Sequence, residues 1–348
     1  MNDWRYPTLL ADVGGTQIRF AVAREAHAAP ELVRVLHTAD HPSLTEAALA
    51  YLSMVGTDPA AAGSPDRSGP LRPSTAALAV ATPVAAARSG PIRLTNLAFT
   101  IDDADLIGRL GLDALWIVND FEALAWSLPT LSATELDTIG PTPPSRQSTM
   151  AVIGPGTGMG CAGLLRKPSG WQAIPGEGGH VTLSGRTAFE REVLAAAAEQ
   201  MDHVSAEKLL SGIGMPLLYR AVATVRGHPA ASQPLPAPQD ITARALAGSE
   251  PLSRDVVETF CGLLGGYAGN VALTFGATGG LLIGGGITTH IASLLADSAF
   301  RSRFEDKGRF CEYLRAIGTA RITRSQPALD GLVYALATAL SSLPVQRA

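Results

Sequence analysis

Asn119 and Asp120 stand where an apolar run, Leu115 to Val118, stops and a helical pattern begins, with Phe121, Leu124 and Leu128 at spacings of three and four before Pro129. An amide and a carboxylate at the carboxyl end of a buried strand are what an open α/β sheet offers to a substrate. Equally, either side chain can cap the helix that follows. Asp12-Val-Gly-Gly-Thr16 joins an acid to a glycine turn and a hydroxyl. Gly14 and Gly15 let backbone N–H groups approach an anion, and successive N–H groups in such a turn form a phosphate-sized concavity. Thr16 adds a hydroxyl, and Asp12 suits a magnesium ion held through water. Gly154-Pro-Gly-Thr-Gly-Met-Gly160 repeats the inventory at Gly156, Thr157 and Gly158. It is not a P-loop, because no Gly-Lys-Ser/Thr follows, nor a dinucleotide fingerprint, because a strand follows it rather than a helix. Alone, each loop is also an ordinary hairpin turn. Together, in separate halves of the chain, they point to phosphates held between domains.

Three further sets carry polar chemistry. Pro175-Gly-Glu-Gly-Gly-His180 presents Glu177 and His180 from one low-bulk loop. A carboxylate and an imidazole suit a metal or neighbouring hydroxyls, or stand as solvated turn residues. Glu207 falls early in a short helix, where a favourable first-turn charge, paired locally with Lys208, is the default reading. Gly284, Gly285 and Gly286 follow a buried strand and would let a base or ribose lie against the backbone.

The elements that must position these residues read as follows. Residues 8–23 form two strands about the Gly14-Gly15 turn, with a third run from Leu32 to Leu36. Ser43 caps a helix through Met54, and residues 57–75 form an exposed loop rich in Pro, Gly, Ala and Ser. A strand from Ala76 to Val84 and a helix from Ile101 to Leu110 precede the strand that ends at Asn119. After a break at 140–148 the grammar restarts: strands at 150–153 and 161–165 flank the second glycine turn, which suggests two related α/β halves. Helical patterns cover 187–201, 205–211, 214–226 and 251–275, with a Pro-rich loop at 228–238 between them. The buried strand at Gly279–Ile287 runs into its own glycines, and a last helix spans Ala328 to Leu340.

Composition narrows the partners. At 348 residues with 46% hydrophobic and 17% charged positions, the chain suits a large globular core in two domains. A net charge of −4 without basic clusters argues against nucleic acid or an anionic membrane. Cys161, Cys261 and Cys311 offer neither a disulfide framework nor a zinc site, which fits a reducing cytosol, and the first residues lack a secretory signal. The uncharged stretch Thr259–Ala296 is long enough for a membrane segment. Its ten glycines, Asn270 and His290 make it read as a buried helix followed by a buried strand.

In order and spacing, the loops at Asp12–Thr16, Thr95-Asn96, Asn119-Asp120-Phe121, Gly156-Thr-Gly158, Pro175–His180, His203–Gly212 and Phe304-Glu-Asp-Lys-Gly-Arg309 resemble the motifs of the sugar kinases of the hexokinase–actin-like ATPase fold. The resemblance is strongest to bacterial ATP-dependent glucokinases and runs from Leu9 to about Leu340. It implies an α/β, two-domain actin-like ATPase (ribonuclease H-like) fold, each half a mixed sheet flanked by helices, with the active site in the interdomain cleft. The small domain would occupy 1–130, completed by a C-terminal helix at about 325–348, and the large domain 131–324. The implied reaction is ATP-dependent phosphorylation of the 6-hydroxyl of D-glucose at the entry to glycolysis, with Asp120 as general base. Asn96, Asn119, Asp120, Glu177, His180 and Glu207 would hold the sugar. Asp12, Gly14, Gly15, Thr16, Gly156, Thr157, Gly158, Gly284 and Gly285 would hold ATP, with Mg2+ near Asp12. A cytoplasmic homodimer is also implied.

Two positions depart from the family pattern. Gln17 stands where Asn is common, and Leu97-Ala-Phe-Thr100 replaces a Trp-bearing segment near the sugar. The reaction type is therefore better defined than the hexose, and a kinase for mannose, fructose or an amino sugar stays open. A catalytically silent sugar-binding regulator is the other alternative. Intact Asp120, two phosphate turns, and the lack of a cysteine-rich zinc motif or a DNA-reading segment before residue 8 argue against it.

Overall fold

The computed structural model describes residues 4–56, 71–84, 90–94, 100–340 and 343–347. Asn96, and residues 57–70 of the expected loop, lie outside the described residues. Two compact units are present: one comprises Met1–Thr130, Lys167–Gln172 and Ser325–Ala348, the other Leu131–Arg166 and Ala173–Arg324.

In the first unit, β1 (Thr8–Val13) and β2 (Gln17–Ala23) form the expected hairpin, and β3 (Glu31–His37) extends it. Helix α1 (Leu44–Gly56) opens with the Ser43 hydroxyl accepting from the Glu46 N–H. Strand β4 (Thr75–Val80) is buried along its length and runs parallel to β1. A small ribbon of β5 (Ile92–Arg93) and β6 (Thr100–Ile101) precedes α2 (Asp103–Leu110). The sequence placed Ile101 in that helix. Instead it pairs in the ribbon, because Asp102 accepts from the Ala104 and Asp105 N–H groups and so fixes the helix start behind it. Strand β7 (Ala114–Asn119) lies parallel to β4 and leads directly into α3 (Asp120–Ser127).

Register places the chemistry of this unit. Val13 pairs with Val80, and Val80 with Asn119, so the Gly14 turn and the Asn119-Asp120 pair leave the sheet at the same edge. The C-terminal helix, Pro327–Ala339, packs on α3, and a last strand, Gln346–Arg347, pairs with β7. That packing is close. A side-chain carbon on Gly331 would overlap the Ala123 carbonyl and lie 2.9 Å from the Ser127 nitrogen.

The second unit begins with β8 (Leu136–Ile139), followed by β9 (Met150–Pro155), β10 (Met159–Lys167) and β11 (Gly170–Gly176), all but the Lys167–Gln172 tip of the last two strands. Helices α4 (Ala188–Ala198), α5 (Ala206–Leu209), α6 (Met215–Val225), α7 (Pro238–Ala247) and α8 (Pro251–Phe275) come next, and then β12 (Gly280–Ile283). Short helices α9 (Gly286–His290), α10 (Ala292–Ala296), α11 (Phe300–Glu305) and α12 (Cys311–Arg315) lead to β13 (Thr319–Ile322). The sheet order is β11-β10-β9-β12-β13-β8, against β3-β2-β1-β4-β7 followed by the C-terminal strand in the first unit. In both, an antiparallel hairpin is followed on its inner side by two parallel strands. The two halves therefore share a topology, as their two glycine turns suggested.

Helix α8 is long and apolar enough to cross a membrane, yet 78% of its most apolar window is buried within the chain. Gly276 ends it in the left-handed region (φ 60°), and β12 follows after a short turn. The stretch Thr259–Ala296 thus holds the buried helix and strand that its glycines indicated, but the strand stops at Ile283. Gly286 and Ile287, read from sequence as its continuation, open the short helix α9, with α10 after it.

Gly331→Val should lower thermal stability by about 1–3 kcal/mol, the usual cost of overpacking a closed contact, in an unfolding experiment; an unchanged melting temperature would mean that the C-terminal helix does not close on α3.

Candidate active site

Asp12 lies directly across the β1–β2 hairpin from Arg19, and their side chains pair at 3.3 Å. Burial is the larger influence on Asp12 and pushes its carboxyl up, while Arg19 opposes it. The turn between them is pinned: the Gly14 N–H donates to the Gln17 carbonyl at 3.0 Å, and the Thr38 N–H donates to the Thr16 carbonyl at 3.0 Å.

At the end of β7 the capping alternative holds for Asn119. Its Oδ1 accepts from the Phe121 N–H at 2.9 Å and the Glu122 N–H at 3.4 Å, and its Nδ2 donates to the Thr82 carbonyl at 3.1 Å. Asp120 Oδ1 accepts from the same Phe121 N–H at 2.9 Å. The cap therefore fixes Asp120 at the helix start and at the sheet edge shared with the Gly14 turn.

The second unit assembles its candidates around Glu207. Its Oε2 accepts from the Met159 N–H at 2.9 Å, just past the second glycine turn. A side-chain carbon on Gly158 would come within 2.5 Å of that same oxygen. His180 stands between two carboxylates, with Nδ1 3.9 Å from Glu207 and Nε2 3.9 Å from Glu177. The local pairing with Lys208 suggested by sequence is not what holds Glu207; the hairpin and the histidine face it instead. Backbone pairing sets this up: the Leu183 N–H donates to Val204 and the Ala206 N–H to Val181, which brings the start of α5 alongside the histidine loop.

The glycines of that loop have a steric reason. A side-chain carbon on Gly179 would overlap the Met159 carbonyl, and one on Gly178 would lie 2.9 Å from Cys161 Sγ and 3.0 Å from the Tyr267 hydroxyl. Burial pushes the Cys161 thiol up to about 11, which leaves it unreactive beneath the loop. The Gly212 N–H donates to the Gly156 carbonyl at 2.8 Å and the Gly284 N–H to the Ile153 carbonyl at 2.8 Å. Gly285 has φ 90° and leaves no room for a side chain against Pro155. Gly156–Gly158, Glu177, His180, Glu207, Gly284 and Gly285 thus gather at one edge of the second sheet, and Asp12, Gly14–Thr16, Asn119 and Asp120 at one edge of the first. Among the described residues no group of three or more His, Cys, Asp or Glu is arranged to hold a metal, so the metal alternative for Glu177 and His180 gains no support.

The glucokinase family model matches residues 9–339. The chain belongs to the glucokinase family. It is 42% identical to a glucokinase of Aromatoleum aromaticum, over 97% of this chain and 96% of that one. It is 40% identical to a glucokinase of Nitrobacter hamburgensis, over 93% and 95%. A crystal structure of a glucokinase from an Antarctic psychrotroph superposes with a TM-score of 0.81 at 32% identity, over 95% of this chain and 99% of that one. The family match spans every described candidate residue from Asp12 to Gly285. Sequence reasoning missed Arg19, although a turn at Gly14–Thr16 places it opposite Asp12. It also missed the Met159 N–H and Thr82 carbonyl, since main-chain partners leave no mark in residue type.

Glu122, two residues after Asp120, adds a pH dependence. Burial pushes its carboxyl up to about 7, from an ordinary value near 4.5. The unfolded chain releases that proton first, so the stability contributed by the neutral carboxyl is complete below the ordinary value and lost as pH rises through about 7. Glu122→Gln should therefore raise the melting temperature relative to wild type more at pH 8 than at pH 5. Equal differences at the two pH values would show that Glu122 stays solvated.

Proposed function

We propose that this glucokinase-family chain transfers the γ-phosphoryl group of ATP to the 6-hydroxyl of D-glucose, in an actin-like ATPase fold. The observation that carries this reading is Glu207, whose carboxylate touches a candidate phosphate turn on one side and His180 of the candidate sugar loop on the other. A sugar hydroxyl is a poor nucleophile, and phosphoryl transfer is mostly positioning and charge neutralisation. Asn119, Glu177, His180 and Glu207, with Asn96, would pin the sugar hydroxyls. Asp120 would align the 6-hydroxyl and take its proton as the new bond to phosphorus forms. The Gly14 and Gly156 N–H groups bond within their own turns, so it is the later residues of Gly14–Thr16 and Gly156–Gly158 that would present N–H groups to the phosphates, and Gly284-Gly285 would let the adenosine lie against the backbone.

Asp12 fits a magnesium ion. It is a largely buried carboxylate beside the first turn, and Mg2+ ordinarily takes one or two carboxylates together with substrate phosphates and water. The ion would neutralise charge on the transferring phosphate.

ADP release measured across a panel of hexoses should be fastest with glucose. A faster rate with mannose, fructose or an amino sugar would move the assignment to that hexose, and no release with any of them would leave a sugar-binding regulator. Asp120→Asn should lower kcat by about 10²-fold or more, the usual worth of a general base, with glucose binding retained; a near-normal rate would remove Asp120 from the proton transfer.

A further inference from the structure

A polar cavity lies in the second unit, and no residue of the glycine turns is in its lining. It is a cavity of about 100 Å³ bounded by the start of α4, one face of α8 and the residues after α11. Three cations, Arg186, Arg303 and Lys307, and two carboxylates, Glu190 and Asp306, line it. Both carboxylates are already engaged. Glu190 Oε2 accepts from the Arg186 and Thr187 N–H groups at 2.6 and 2.9 Å, closing the cap of α4, and its Oε1 takes Arg303 at 2.9 Å. Asp306 pairs with Arg186 at 2.8 Å.

Lys307 is the remainder. Its Nζ donates to the Gly266 carbonyl at 2.8 Å, and among the described residues no carboxylate lies within ion-pair distance of it. Burial, the larger influence, pulls its ammonium below the usual lysine range, with Asp306 opposing. A partly desolvated cation holding one neutral partner is a costly arrangement unless an anion completes it.

Glycines on α8 shape the floor. A side-chain carbon on Gly269 would lie 2.7 Å from Lys307 Cε, so the lysine stem crosses the helix where no side chain stands. A side-chain carbon on Gly262 would approach Glu190 Oε1 to 3.2 Å. Above Gly266 nothing lies within 4 Å of that position. The open space thus lies over Gly266, whose carbonyl Lys307 holds, and two guanidinium groups, whose planar forks suit oxyanions, are among its lining.

We infer that this cavity binds a small oxyanion of phosphate size, held by Lys307 and rimmed by Arg186 and Arg303, separately from the substrates. The three cations against two engaged carboxylates leave one positive charge for it, and Gly266 is its steric gate.

Thermal unfolding of the full chain tests this, with inorganic phosphate or glycerol 3-phosphate titrated against chloride at matched ionic strength. In wild type the melting temperature should rise with the logarithm of anion concentration, as mass action requires of a ligand bound to the folded state. The tighter of the two names the source, a free phosphate or one carried on an organic group. Lys307→Met should weaken that binding about tenfold or more, the worth of one hydrogen bond to a charged group. Gly266→Ala decides the matter if Lys307→Met folds poorly. An alanine suits a helix interior and meets no protein atom there, so this variant should be at least as stable as wild type yet lose the anion effect. No anion-specific rise in wild type, or a rise with unchanged midpoint in Gly266→Ala, would overturn the inference and assign any phosphate effect to the glycine turns.

Discussion

Close backbone approach is the constraint on which the second unit's site depends. Glu207 reaches the Met159 N–H only because Gly158 carries no side chain between them, and His180 faces Glu207 only because Gly178 and Gly179 let their loop settle on β10. Each of these contacts joins segments far apart in sequence. Each is set by an absence of atoms and not by an attraction between side chains. A hydrogen bond to a charged acceptor adds on the order of 1.5–3 kcal/mol, and it forms here because steric space was reserved for it.

The first unit uses a different device for the same end. Parallel pairing of β1, β4 and β7 aligns Val13, Val80 and Asn119, so strand register alone brings the glycine turn and the acidic helix start to one edge. Asn119 spends its side chain on capping α3 and on Thr82, and that expenditure is what holds Asp120 in place. Structural and chemical readings of this dipeptide are therefore complementary. The asparagine caps the helix start on which the aspartate stands.

Much of this was legible in the sequence. The hairpins about Gly14-Gly15 and Gly156–Gly158, the strand ending at Asn119 and the helix at Pro251–Phe275 all follow from apolar periodicity broken by glycine. So did the grouping of Glu177 with His180, since one loop carries both. The partner of Glu207 was not legible, because it is a main-chain N–H whose position depends on the register of β10. Ile101 was misplaced for a similar reason: its apolar character fits a helix face as well as a ribbon, and only the Asp102 cap separates the two. Phe304–Arg309 stood in the sequence only as a motif of the family resemblance; the charged cavity at Lys307 was not legible, because it depends on Gly262 and Gly266 of α8, far off in sequence, lining it.

The C-terminal helix and strand complete a unit whose other elements are made first. Helix α3 packs against residues 327–339, and β7 is paired on its outer side by Gln346–Arg347. During synthesis the first sheet must wait with an uncovered helix face and an unpaired edge while the whole second unit emerges and folds. Its closure needs residues 327–347, which follow the whole second unit in sequence, so the unit that carries Asp120 cannot be completed until the second unit's residues have been made.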